Sequence, residues 1–118
     1  MNVNEYQLRA HGFADYTKPA VITNEKTIIV DYCYPALGLA EEAGEVAGKF
    51  AKAVRDCKGE IDSERKEAII KELGDVTWFV AELCTTLGVS LEEVMQKNID
   101  KLTSRKERNV LHGSGDDR

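Results

Sequence analysis

Proline is nearly absent from this chain, with two in 118 residues, and no apolar run reaches the roughly 20 residues that span a bilayer. The first absence leaves helices largely uninterrupted. The second excludes a membrane-spanning helix, and the N-terminal MNVNEYQLRA lacks a basic-then-apolar signal pattern. Period-two alternation of strand length is missing as well. Only residues 27–34 (TIIVDYCY) have strand-like composition, and without a partner strand they read as an ordered approach to the next helix. Positive charge is in deficit: 16 Lys and Arg against 21 Asp and Glu give a net charge of −5, which argues against a general nucleic-acid-binding surface. Cys33, Cys57 and Cys84 form no CxxC and leave one thiol unpaired, the pattern of reduced cysteines in a cytoplasmic protein. There are two histidines, His11 and His112, and neither follows a glutamate by three. That excludes the Glu-x-x-His di-iron site of helical bundles, and the lack of His or Cys beside the acids excludes a zinc hydrolase. A P-loop and a nucleophile–base pair are missing too.

What the chain does have is a doubled acidic motif. EEAGEV at 41–46 and KELGDV at 71–76 superpose as Glu-x-Gly-acid-Val. Glu42 and Glu45 stand three apart, as do Glu72 and Asp75, so on a helix each pair occupies neighbouring turns of one face. The apolar residues that follow match too: Val46 with Val76, Phe50 with Val80, Ala53 with Leu83, Val54 with Cys84 and Cys57 with Leu87. Each helix therefore carries an apolar stripe bordered by two acids. Packed antiparallel, the two would gather four carboxylates in one small volume, where the usual outcome is a raised pKa or a bound cation. Gly44 and Gly74 recur at the same register, and each costs about 1 kcal/mol relative to Ala inside a helix. That recurrence implies a close approach of backbones there. A solvated face paired with Lys49, Lys52 and Lys71 is the competing reading.

Taken in order, residues 2–15 form a first helix capped by Asn2 or Asn4, with His11 as a packed or surface side chain. Residues 16–27 connect. A second helix starts at Pro35 and runs to about Cys57, and 56–63 make the turn. A third helix runs over 64–87, with Asp62 or Ser63 as its cap and Gly88 as its stop. Ser90 opens a fourth helix with Glu93 three on, the spacing of a capping box. That helix grows basic toward its end through Lys97, Lys101, Arg105, Lys106 and Arg108. Residues 110–118 read as a flexible tail, with a phosphate-binding Gly-Ser-Gly loop as the alternative. The expectation is a single all-α domain over 1–118, four-helix-bundle-like and built on an antiparallel helical hairpin. A chain of this size is small for enclosing a cleft alone, so an oligomer is expected.

The candidate ligands are all oxygens, which suits Mg²⁺ or Mn²⁺. Carboxylates holding a hard cation opposite Lys and Arg fit a phosphorylated substrate attacked by a metal-activated water.

EEAGEV and KELGDVTWFVAEL, followed by LGVSLEEVMQKNIDKLTSRKER and GSGDDR, resemble the short single-domain form of the MazG-like nucleoside triphosphate pyrophosphohydrolases of the all-α superfamily. The pattern is ExxE, a gap, then ExxD; here 26 residues separate Glu45 from Glu72. The resemblance covers about residues 37–118 and is weak over 1–36. It implies hydrolysis of a (deoxy)nucleoside triphosphate to monophosphate and pyrophosphate with Mg²⁺, in a homodimer or homotetramer whose sites are completed by helices of two subunits. Position by position, Glu42, Glu45, Glu72 and Asp75 would ligate metal. Glu41 matches the position proposed in some relatives as the base orienting the attacking water, or it only supports the ligands. Asn98, Lys101 and Arg105 match positions that contact sugar and phosphates, against the alternative of an ordinary basic helix face. Trp78, off the apolar arc, stacks on a base or packs against a partner subunit. The tail resembles that of short, often phage-borne relatives and brings Arg118 or its loop to phosphate. Such a protein would act in the cytoplasm, the host's if phage-encoded, with no membrane and no stable nucleic-acid partner. The alternative function is a non-catalytic helical dimeriser or regulatory subunit that binds nucleotide or metal without turnover.

Overall fold

The computed structural model describes residues 1–16 and 24–116, with the backbone alone for 24–32. It consists of α1 (Val3–His11), α2 (Asn24–Cys57), α3 (Ser63–Thr86) and α4 (Leu91–Glu107), and no strand occurs among the described residues. The all-α expectation holds.

Local chemistry sets most helix ends. Asn2 caps α1 through a full capping box: its side chain accepts from the Glu5 N–H at 2.8 Å, and the Glu5 carboxylate accepts from the Asn2 N–H at 2.9 Å. The helix stops at His11 rather than continuing to residue 15, because the N–H groups of Gly12, Phe13 and Ala14 turn back as tight i→i−3 bonds. Asp62 rather than Ser63 caps α3, accepting from the Arg65 N–H at 2.9 Å. Gly88, at φ +69°, ends that helix as the sequence predicts, and the Val89 N–H reaches back to the Cys84 carbonyl at 3.0 Å. Ser90 caps α4 by accepting from the Glu93 N–H at 3.1 Å. The Glu93 carboxylate pairs with Lys97 at 2.6 Å instead of completing a box.

The start of α2 departs from the expectation. The helix begins at Asn24, so the strand-like residues 27–34 are helical and Pro35 lies inside the helix. Proline there removes the N–H that would bond to the carbonyl four residues earlier, a cost of about 3 kcal/mol in an ordinary helix. Its ring is fully buried, which offsets part of that cost.

Helices α2 and α3 pack against each other across the turn at 58–62, where Lys58 and Gly59 both take positive φ. Helix α1 lies against α3, and α4 packs on α1 and α3; among the described residues it makes no contact with α2. The core joins Ala10, Ala81, Cys84 and Leu91 with Val3, Tyr6, Trp78, Val80 and Val89 around them. Ala53, Ile69 and Phe79 are buried within the hairpin. Much of the expected apolar arc stays open: Ala53 and Cys84 are buried, but Phe50, Val54 and Leu87 are exposed, Val54 by 69%.

The glycine expectation is corrected. A Cβ on Gly44 or Gly74 would meet nothing within 4 Å, so no backbone approaches closely at either position in the protomer. The tight contact is at Gly38, where a Cβ would stand 2.2 Å from the Phe79 ring. The Phe79 ring of α3 fills the space that a side chain at that position of α2 would need. The doubled glycines sit beside the acids on the open side of the hairpin, where both are exposed.

Candidate active site

Two helices bring three acids together. Glu42 projects from α2, and Glu72 and Asp75 project from neighbouring turns of α3. One carboxylate oxygen from each lies within 4.8 Å of the others. Glu42 and Glu72 are half-buried and Asp75 is exposed. Burial first, then the charges of Asp75, Glu41, Glu72 and Glu45, push the Glu42 carboxyl above its ordinary value. A basic side chain already answers part of that charge: Lys49 Nζ stands 2.9 Å from Glu72 Oε1, and this pairing holds the ammonium above its usual range.

The doubled motif predicts four convergent carboxylates, and the trio contains three. Glu45 is exposed and outside it, although its charge acts on both Glu42 and Lys49. Glu41 is exposed beside the trio and acts on Glu42 through charge. The donor set fits the expected cation: three hard carboxylate oxygens that repel one another.

The basic face of α4 lies elsewhere in the protomer. Asn98 and Lys101 line a shallow cavity of about 280 Å³ with Val94 and Lys97. Arg105 is buried, 5% exposed, and its guanidinium donates to the Asp116 carbonyl at 2.6 Å and the Gly115 carbonyl at 3.3 Å. Lys101 Nζ stands 3.6 Å from Asp116 Oδ1, and the two cations hold that carboxyl below its ordinary value. The end of the tail thus brings acceptors to α4 rather than a nest of N–H donors. α4 packs on α3, which carries Glu72 and Asp75, but none of the acids lines the cavity of Asn98 and Lys101. Arg118 lies outside the described residues.

Trp78 packs. Its indole N–H donates to the Ala10 carbonyl at 3.0 Å, tying α3 to α1, and its ring meets Phe79 edge-on at 4.8 Å. Tyr16 and Tyr34 stack at 4.7 Å beside it, and Tyr34 tilts against Phe79 at 6.0 Å.

One acid escaped the sequence reading. Glu82 is completely buried; its Oε2 accepts from the Tyr16 hydroxyl at 2.9 Å and faces His11 Nδ1 at 3.1 Å, while Oε1 has no partner. The signal was present in FVAELC: an acid three residues after Phe79, flanked by apolar neighbours, falls on the inward stripe of the helix. His11, read as a packed or surface residue, is part of this network. Burial and the charges of Asp75 and Glu82 together raise the Tyr6 phenol, which places Tyr6 within electrostatic reach of both acids.

Among the described residues, no helix is long and apolar enough to cross a membrane. A family model described as the MazG nucleotide pyrophosphohydrolase domain matches residues 35–110. The chain is similar to the Gene 37 protein of Mycobacterium phage L5, 42% identical over 118 residues that cover all of both chains. It is also similar to the uncharacterized protein YvdC of Bacillus subtilis, 42% identical over 72 residues, covering 53% of this chain and 68% of the relative. No solved structure matches the chain at a significant level.

Proposed function

The chain belongs to the MazG nucleotide pyrophosphohydrolase family, and on that premise we propose that it hydrolyses (deoxy)nucleoside triphosphates between the α and β phosphates, releasing monophosphate and pyrophosphate. The observation that carries the reading is the approach of Glu42, Glu72 and Asp75 to within 4.8 Å on two helices. Among the described residues these are the acids whose repulsion calls for a cation. Glu42, Glu72 and Asp75 would hold Mg²⁺ or Mn²⁺, with Glu45 one turn along α2 from Glu42. When bound, the cation neutralises phosphate oxygens and acidifies a coordinated water.

The chain's own residues supply the rest. Glu41, exposed next to Glu42, is the carboxylate available to orient the attacking water and take its proton. Lys49, already at Glu72, offers a cation to the phosphate charge that arrives with substrate. Asn98, Lys101 and Arg105, on the basic face of α4, would reach the polyphosphate from a second subunit in the oligomer.

Two features support an oligomer. The radius of gyration is 17.7 Å, whereas a compact chain of this length would have about 13.5 Å. Large apolar residues of three helices, among them Leu37, Phe50, Val54, Ile70, Leu73 and Ile99, are exposed in the protomer. A homodimer or homotetramer would cover them.

The test is a panel of the canonical ribo- and deoxynucleoside triphosphates with Mg²⁺, with pyrophosphate and orthophosphate release measured separately. Pyrophosphate release from at least one of them is expected. Binding without turnover across the panel would favour a regulatory nucleotide binder and overturn the enzymatic reading.

A further inference from the structure

We propose that Glu82, fixed by Tyr16 and His11 beside the Tyr16–Tyr34 ring pair, reads the base of the nucleotide and favours bases that carry an exocyclic amino group. The inference rests on the nucleotide-binding reading above and gives that site its base end.

A completely buried carboxylate is costly unless its oxygens are satisfied. Here only one is. Tyr16 and His11 fix Oε2, and Oε1 is buried without a partner. Among the described residues no Lys or Arg pairs with Glu82. Where a fold holds one oxygen in place and leaves the other bare, the bare oxygen is an acceptor waiting for a donor.

Its location relates it to the acids. Glu82 follows Asp75 by seven residues, two turns of α3 and about 10.5 Å along the axis, on nearly the same side. Phe79 is one turn from Asp75, and Tyr34 touches Phe79. The aromatic group therefore begins one turn from the carboxylate trio and ends at Glu82. A nucleotide held by its phosphates at Asp75 extends its sugar and base along this stripe. The Tyr6 phenol, raised by Asp75 and by Glu82 as well as by burial, bridges the same interval.

The chemistry selects the base. Tyr34 is 49% exposed and presents a ring on which a base can stack, an interaction tolerant of base identity. Discrimination then falls to Oε1. The amino group of cytosine, adenine or guanine donates to a carboxylate, whereas the O4 of uracil or thymine sets acceptor against acceptor and leaves Oε1 bare.

The decisive measurement is equilibrium binding of dCMP and dUMP, which differ in ring-edge donor and acceptor and are not hydrolysed, to wild type and Glu82→Gln in saturating Mg²⁺. Wild type should bind dCMP about 10- to 100-fold more tightly than dUMP. Glu82→Gln, whose amide both donates and accepts, should narrow the ratio to within about threefold by gaining dUMP affinity. Tyr34→Leu should weaken both nucleotides alike. Equal binding by wild type, a preference for dUMP, no binding of either, or an equal loss on both in Glu82→Gln would overturn the proposal and leave Glu82 a purely structural anchor of α1. If Glu82→Gln does not fold, the wild-type ratio decides alone. A preserved dCMP preference with no triphosphate turned over would sink the hydrolase reading and leave this one standing. Turnover indifferent to the base would do the reverse.

Discussion

Lys49 Nζ lies 2.9 Å from Glu72 Oε1, so the carboxylate trio already holds one cation of its own. A divalent ion entering the trio must compete with that ammonium or share Glu72 with it. Lys49→Met should therefore lower the Tm of the metal-free protein and enlarge the Tm increase produced by Mn²⁺. Thermal unfolding across a Mn²⁺ titration, wild type against variant, measures both. An unchanged Mn²⁺ response would place the ion away from Glu72.

The trio also predicts a pH dependence of fixed sign. Glu42 has a folded-state pKa above its ordinary 4.5, so the folded state binds that proton more readily than the unfolded chain. This contribution is fully present below 4.5 and is lost as pH rises from 4.5 through the raised folded value. In EDTA the Tm should fall across that window more steeply in wild type than in Glu42→Gln. Saturating Mg²⁺ should flatten the difference, because the cation takes over the proton's role. Identical profiles for the two proteins in EDTA would show that Glu42 is not strained by its neighbours.

The glycines separate by environment. Gly38→Ala forces a Cβ to 2.2 Å from the buried Phe79 ring, and relief requires that ring or the helix to shift. Overpacking of this kind costs typically 1–3 kcal/mol. Gly44→Ala and Gly74→Ala meet nothing within 4 Å and should gain up to about 1 kcal/mol of helix propensity. Chemical denaturation of the three variants is the comparison. A loss at Gly44 or Gly74 would reveal a second subunit lying on that face.

These environments mark how far the sequence could be read. The trio was legible because its cause is local: a three-residue spacing repeated on two helices that a short turn folds together. Asp62, Ser90 and Gly88 were legible for the same reason, since a cap satisfies backbone groups within its own turn. Long-range packing decided what was misread. Pro35 looked like a helix start, and only the burial of its ring shows why α2 runs through it. The doubled glycines suggested a close backbone approach, but the near contact falls at Gly38, where Phe79 arrives from the other helix. Glu82 was passed over because an acid's partners, here Tyr16 and His11, lie 66 and 71 residues away. The placement of α4 away from α2 has no signature in its own amphipathic pattern.

Completion of each site by a second subunit has its own signature. If Lys101 serves the acids of another subunit, Lys101→Ala and Asp75→Asn should each abolish most turnover alone. Co-expression of the two should restore activity, to about a quarter of wild type for random pairing into dimers with two sites, one intact in each mixed dimer. Pyrophosphate release by the purified mixture measures it. No recovery above the single variants would place Lys101 outside the site or within a site of its own chain.

The central claim is that the carboxylates of Glu42, Glu72 and Asp75 hold the cation on which hydrolysis depends, and Asp75→Asn tests it most directly because the exposed Asp75 can change with little effect on folding. The measurement is pyrophosphate release at saturating triphosphate and Mg²⁺ by wild type and Asp75→Asn, with Tm recorded on the same samples. The account predicts a kcat lower by about 100-fold or more at a Tm within a few degrees of wild type. Near-wild-type release by Asp75→Asn would contradict it.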